Sequence, residues 1–146
     1  MSKLSTTKGK TFERKIAAII RERWPDAMVV RASQGERAHN SDVFIECGPP
    51  MLTRLWLECQ DSRSPTPRAK LEQAERDIGG SSDPSRIPVV IWHRLGCREI
   101  DVMTRLWVLD ALRGPLAVRT RYECVAMRLE DFLDLLDQTR AGKEAE

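Results

Sequence analysis

Two stretches of this chain are apolar and extended, yet each carries a carboxylate. They are Ser41-Asp42-Val43-Phe44-Ile45 and Leu55-Trp56-Leu57-Glu58-Cys59-Gln60. A strand that enters a core does not carry an acid without cause, because an unpaired buried charge costs several kcal/mol. The stretches are separated by a turn, Cys47-Gly48-Pro49-Pro50, and so predict a hairpin that sets Asp42 beside Glu58. A divalent cation relieves the repulsion of such a pair, and oxygen-only ligands suit Mg²⁺ or Mn²⁺.

The rest of the chain supplies the frame. Phe12, Ile16, Ile19 and Ile20 recur at helical spacing and predict a helix from Lys8 to about Arg23, stopped by Trp24-Pro25-Asp26. Strands are expected over 28–32, 42–46, 52–60, 87–93, 99–103 and 122–127. Pro67 opens a second helix that Gly79-Gly80 ends. Leu106, Trp107, Leu109 and Leu112 fit a short helix, with strand left open, and a last amphipathic helix covers 129–138. This order predicts one α/β domain over residues 8–138 around a mixed sheet, with a flexible leader (1–7) and tail (139–146).

Length and charge narrow the class. The 146 residues suit one core. No apolar run is long enough to span a bilayer, and the polar start lacks a secretory signal, so a cytoplasmic protein with no membrane partner is expected. Cys47, Cys59, Cys97 and Cys124 form no CxxC pair and read as reduced thiols. Net charge is only +2, but it is unevenly spread. Lys8, Lys10, Arg14 and Lys15 crowd the first helix, and Arg31, Arg37, Arg63 and Lys70 flank the acidic pair. A basic surround to an acidic pocket fits a phosphate backbone held over metal.

The motifs resemble the PD-(D/E)xK nuclease superfamily, and within it the archaeal-type Holliday junction resolvase family. Lys8-Gly9-Lys10-Thr11-Phe12-Glu13-Arg14 is similar to that family's opening. Val30-Arg31-Ala32-Ser33 resembles the strand that leads to its active-site serine loop. Ser41-Asp42-Val43 and Leu57-Glu58-Cys59-Gln60 match the metal motif, and the helix with Gln73 matches in place. The likeness covers roughly residues 8–93. Two positions depart from the pattern: Gln60 stands where the motif has Lys, and Ser41 where it has Pro.

The resemblance implies a restriction-endonuclease-like mixed sheet flanked by helices. It implies a Mg²⁺- or Mn²⁺-dependent endonuclease that hydrolyses DNA phosphodiesters with a metal-activated water, acting as a homodimer on branched DNA. Asp42, Glu58 and the Cys59 carbonyl would bind metal. Glu13 would act through a water or a second ion, and Gln60 would orient the attacking water, with Lys70 or Arg63 supplying the missing charge. Lys8, Lys10, Arg14, Arg31, Ser33, Arg37, Arg63, Lys70 and Gln73 would face DNA. The small size suits a phage or mobile element.

Plainer roles stand beside these. Asp42 and Glu58 could pair with Arg31 or Arg63, Glu13 could complement the helix dipole, and Ser33 could form a turn. Gln60 and Gln73 could be solvated, and His93 could cap a strand end. Two rival functions share the residues: a restriction- or repair-type nuclease on duplex DNA, and a DNA-binding relative that has lost cleavage.

Overall fold

The computed structural model describes residues 3–32, 41–113 and 123–144. A single sheet of six strands runs in the order β1-β2-β3-β4-β5-β6. Its strands are β1 (Met28–Arg31), β2 (Val43–Cys47), β3 (Leu55–Ser62), β4 (Ile87–Arg94), β5 (Ile100–Arg105) and β6 (Cys124–Arg128). The helices are α1 (Lys3–Arg23), α2 (Pro50–Thr53), α3 (Pro67–Gly79), α4 (Leu106–Arg113) and α5 (Leu129–Glu144). The expected α/β architecture with a mixed sheet is thus present. No helix among the described residues is long and apolar enough to cross a membrane.

One parallel junction organises the sheet. β3 and β4 run parallel, from Leu55 opposite Ile87 to Ser62 opposite Arg94, and every other neighbouring pair is antiparallel. A parallel pair needs a crossover, and α3 is that crossover. β3 and β4 are therefore central. Leu55, Trp56 and Leu57 are all buried, as are Ile87 to Ile91, which explains their unbroken apolar runs.

Helices cover both faces. On one, Phe12, Ile16 and Ile20 of α1 and Leu129, Phe132, Leu133 and Leu136 of α5 pack with Leu55, Leu57, Val89 and Ile91. Each such side chain, fully buried, contributes about 1.5–3 kcal/mol. On the other, Trp56 packs with Ala74 and Ile78 of α3. Arg23 joins the ends of α1 and α5, pairing with Asp134 and donating to Asp137 Oδ2 at 2.6 Å.

Several boundaries differ from expectation. α1 begins at Lys3 and so occupies part of the expected leader. Lys3 to Thr7 holds no Pro, and a nucleated helix extends cheaply. For the same reason α5 continues to Glu144, past the expected end at residue 138. The β2–β3 connection contains α2, with Pro50 at its first position. Leu52 enters the core from α2, so β3 starts at Leu55 and not at Leu52. Residues 106–113, open between helix and strand, are helical. Gly96, at φ 89°, makes the β4–β5 turn in the left-handed region that side chains disfavour.

Candidate functional site

The sheet brings Asp42 and Glu58 together. Asp42 sits just before β2, where its main-chain carbonyl accepts the Ala32 N–H at 3.1 Å. Its Oδ2 accepts the Cys59 amide N–H at 2.9 Å. The Asp42 carboxylate thus docks on β3 one residue beyond Glu58, and it lies within hydrogen-bonding reach of the Glu58 carboxyl. In a strand the N–H and C=O of one residue leave by the same edge. The Cys59 carbonyl accordingly leaves β3 on the Asp42 side.

Glu58 is 7% exposed and points to the α3 face, the face of Trp56. Its Oε1 accepts the Trp56 indole N–H at 2.8 Å, and its Oε2 lies 3.3 Å from Lys70 Nζ of α3. Burial first, and then the Asp42 charge, push its carboxyl up from 4.5 to about 7, against the pull of Lys70 and Trp56. The Lys70 ammonium is held above its ordinary value. Burial works against the charge there, and Glu58 and Asp42 outweigh it. The Cys59 thiol is pushed well up by its own burial and by Asp42, Glu13 and Glu58, so it stays protonated.

Glu13 projects from α1, buried, and approaches Arg31 Nη1 at 3.5 Å; the same nitrogen donates to the Lys10 carbonyl at 3.3 Å. With α1 starting at Lys3, Glu13 stands in the middle of the helix and not in its first turn, so it does not complement the helix dipole. Its charge helps to raise the Cys59 thiol.

Gln60 turns elsewhere. Its Nε2 donates to Thr66 Oγ1 at 3.2 Å, and its Oε1 accepts the Thr66 N–H at 2.9 Å. Thr66 is the residue before α3, so Gln60 fastens the start of that helix to β3. Arg14, Arg63 and Gln73 are exposed, and Lys10 and Arg31 are half-buried. Ser33, Arg37 and His39 lie outside the described residues, as does the Lys8 side chain.

Two participants were missed in the sequence, Trp56 and Thr66, whereas His93 takes the strand-capping role open to it. Trp56 lies two residues before Glu58, the spacing that puts both on one face of a strand; that pattern points to it. Thr66 is identified only by tertiary contact. His93 closes β4, with Nδ1 2.9 Å from Asp61 Oδ1 and Nε2 2.6 Å from the Cys97 carbonyl, and its ring stacks on Phe12 at 6.0 Å. It caps a strand end beside the site.

The donor set fits a hard divalent ion in kind. Two carboxylates and a main-chain carbonyl are oxygen ligands, and a cation between Asp42 and Glu58 would relieve the repulsion that helps to raise the Glu58 carboxyl. Among the described residues no three Asp, Glu, His or Cys side chains are arranged to hold a metal, so the remaining ligands would be water or phosphate, as is usual for Mg²⁺. A separate cavity of about 470 Å³, lined by Trp24, Ala27, Pro49, Met51 and Leu136, lies at the other end of β2 from Asp42. No protein-family model and no curated protein matches the chain.

Proposed function

We propose that the chain is a Mg²⁺- or Mn²⁺-dependent endodeoxyribonuclease with a restriction-endonuclease-like fold, and that it cuts branched DNA as a homodimer in the manner of Holliday junction resolvases. The observation that carries the reading is the Asp42–Glu58 pair. One acid stands just before β2 and the other on the neighbouring β3, beside the parallel junction with β4, and burial raises Glu58 to about 7. The helix–three strands–helix–strand order from α1 to β4 supports it.

Asp42 and Glu58 would hold the metal, with the Cys59 carbonyl. When bound, it would supply Lewis-acid charge at the scissile phosphate and lower the pKa of a water. The chain's own residues do the rest. The Cys59 N–H and the Trp56 indole fix the orientation of the two carboxylates. Arg31 pairs with the buried Glu13 of α1. Lys10 and Arg14, on α1, attract backbone phosphates without reading sequence.

The test is incubation of wild type, Asp42→Asn and Glu58→Gln with four-way junction, flap and duplex DNA, in Mg²⁺, in Mn²⁺ and in chelator. Metal-dependent junction cutting by wild type alone is expected. Equal cutting of duplex of the same sequence would replace the resolvase reading by a duplex nuclease. DNA binding with no cutting in any metal would favour the non-cleaving relative, a reading that Gln60 recommends because an amide carries no charge.

A further inference from the structure

We infer that Lys70, reaching in from the crossover helix α3, supplies the positive charge at the scissile phosphate, and that Gln60 is the positioning residue that holds Lys70 in place. The inference rests on the nuclease reading and divides the work of one motif position between two residues.

The Gln60 amide has both ends engaged. It donates to Thr66 Oγ1 at 3.2 Å and accepts from the Thr66 N–H at 2.9 Å. An amide so engaged is not turned to an attacking water. Its effect is on α3. The Thr66 side chain makes no cap hydrogen bond to the helix, and the Thr66 carbonyl accepts the Lys70 N–H at 3.1 Å. Gln60 therefore ties β3 to the first turn of α3, and Lys70 closes that turn.

From there the Lys70 ammonium reaches Glu58 Oε2 at 3.3 Å. The other nearby cations are placed differently. Arg31 is engaged by Glu13 and the Lys10 carbonyl. Arg63 is exposed in the loop after β3. Lys70 is half-buried beside the acids, where a charge acts with less screening than at the surface. Once the carboxylate charge is taken up by a divalent ion, a phosphate oxygen is the natural partner left for the ammonium.

A plainer role competes: Lys70 as counter-ion to a buried Glu58 and nothing more. Single-turnover junction cleavage at saturating Mn²⁺, with Mn²⁺ affinity and thermal unfolding measured in parallel, separates the two. Lys70→Met is expected to bind Mn²⁺ at least as tightly as wild type, because a competing positive charge is gone, and to cut about 100-fold more slowly. Lys70→Arg is expected to keep most of the rate. In the Lys70→Met background, Gln60→Lys is expected to recover about tenfold or more by returning the charge from β3. Gln60→Ala is expected to slow wild type by about tenfold and to add nothing in the Lys70→Met background. If Lys70→Met does not fold, Lys70→Gln reads the same loss.

Cutting by Lys70→Met within about threefold of wild type at saturating metal would overturn the inference and leave the nuclease reading standing. So would a rate loss that Gln60→Lys does not relieve. Absence of metal-dependent cutting by wild type would sink both.

Discussion

The indole N–H of Trp56 donates to Glu58 Oε1 at 2.8 Å, and both side chains stand on the α3 face of one strand. The bond favours the ionised carboxylate, because it is a donor aimed at negative charge. Trp56→Phe keeps an aromatic ring against Ala74 and Ile78, gives up some buried volume, and removes that donor. The Glu58 carboxyl should then titrate above about 7, and Mn²⁺ binding at pH 7 should weaken. Carboxyl-carbon NMR of Glu58 against pH checks the first and calorimetric titration the second. An unmoved titration would show that the indole is a packing group alone.

Stability should depend on pH through Glu58. Its folded carboxyl is raised from 4.5 to about 7, so the folded state binds the proton more tightly than the unfolded chain does. Stability contributed by this group is full below pH 4.5 and is lost as pH rises to about 7. At about 1.4 kcal/mol per pH unit the loss is about 3 kcal/mol. Glu58→Gln should flatten that slope in urea melts taken across the window. Mg²⁺ should raise the melting temperature of wild type above pH 7 and leave Glu58→Gln unmoved.

His93 should act in the same direction for a different reason. Both ring nitrogens face acceptors, Asp61 and the Cys97 carbonyl, and the imidazolium alone can donate to both. Its pKa is raised, chiefly by Asp61, while burial and the Lys15 charge oppose the shift. The clamp's contribution is therefore complete below the ordinary histidine value of 6.5 and is lost as pH rises through the raised one. Asp61→Asn should lower the His93 titration measured by imidazole NMR. A titration that stays in place would assign the shift to some other neighbour.

Arg105 is 5% exposed and donates through Nη2 to Glu75 Oε2 at 3.0 Å, joining β5 to α3. Glu75→Ala removes the carboxylate partner of that guanidinium, which keeps its bond to Cys124 Sγ, and should cost about 2 kcal/mol in chemical denaturation. Arg105→Met, which removes the buried charge and keeps the volume, should cost less. The reverse order would mean that Arg105 contributes through packing.

Much of this molecule could be read along the chain. The apolar run at Ile87 to Ile91 announced a central strand because both its faces are covered. The spacing of Phe12, Ile16 and Ile20 announced the buried stripe of α1. Asp42 and Glu58 stood out because a charge inside an apolar stretch is costly. The Leu106 to Leu112 stripe was ambiguous because a short apolar run fits helix and strand alike; α4 settles it, with Val108 and Leu109 buried and Trp107 exposed at the surface. The α2 turn escaped notice because its residues read equally well as a tight turn.

What the sequence determined by itself was the local alternation that makes each strand and helix, and the choice of acids worth watching, since periodicity and the cost of burying charge act within a few residues. The tertiary structure alone decided which groups those acids meet. Lys70 comes to Glu58 over a crossover helix, and Gln60 is drawn away to Thr66, because strand register and helix placement follow from the packing of the whole sheet.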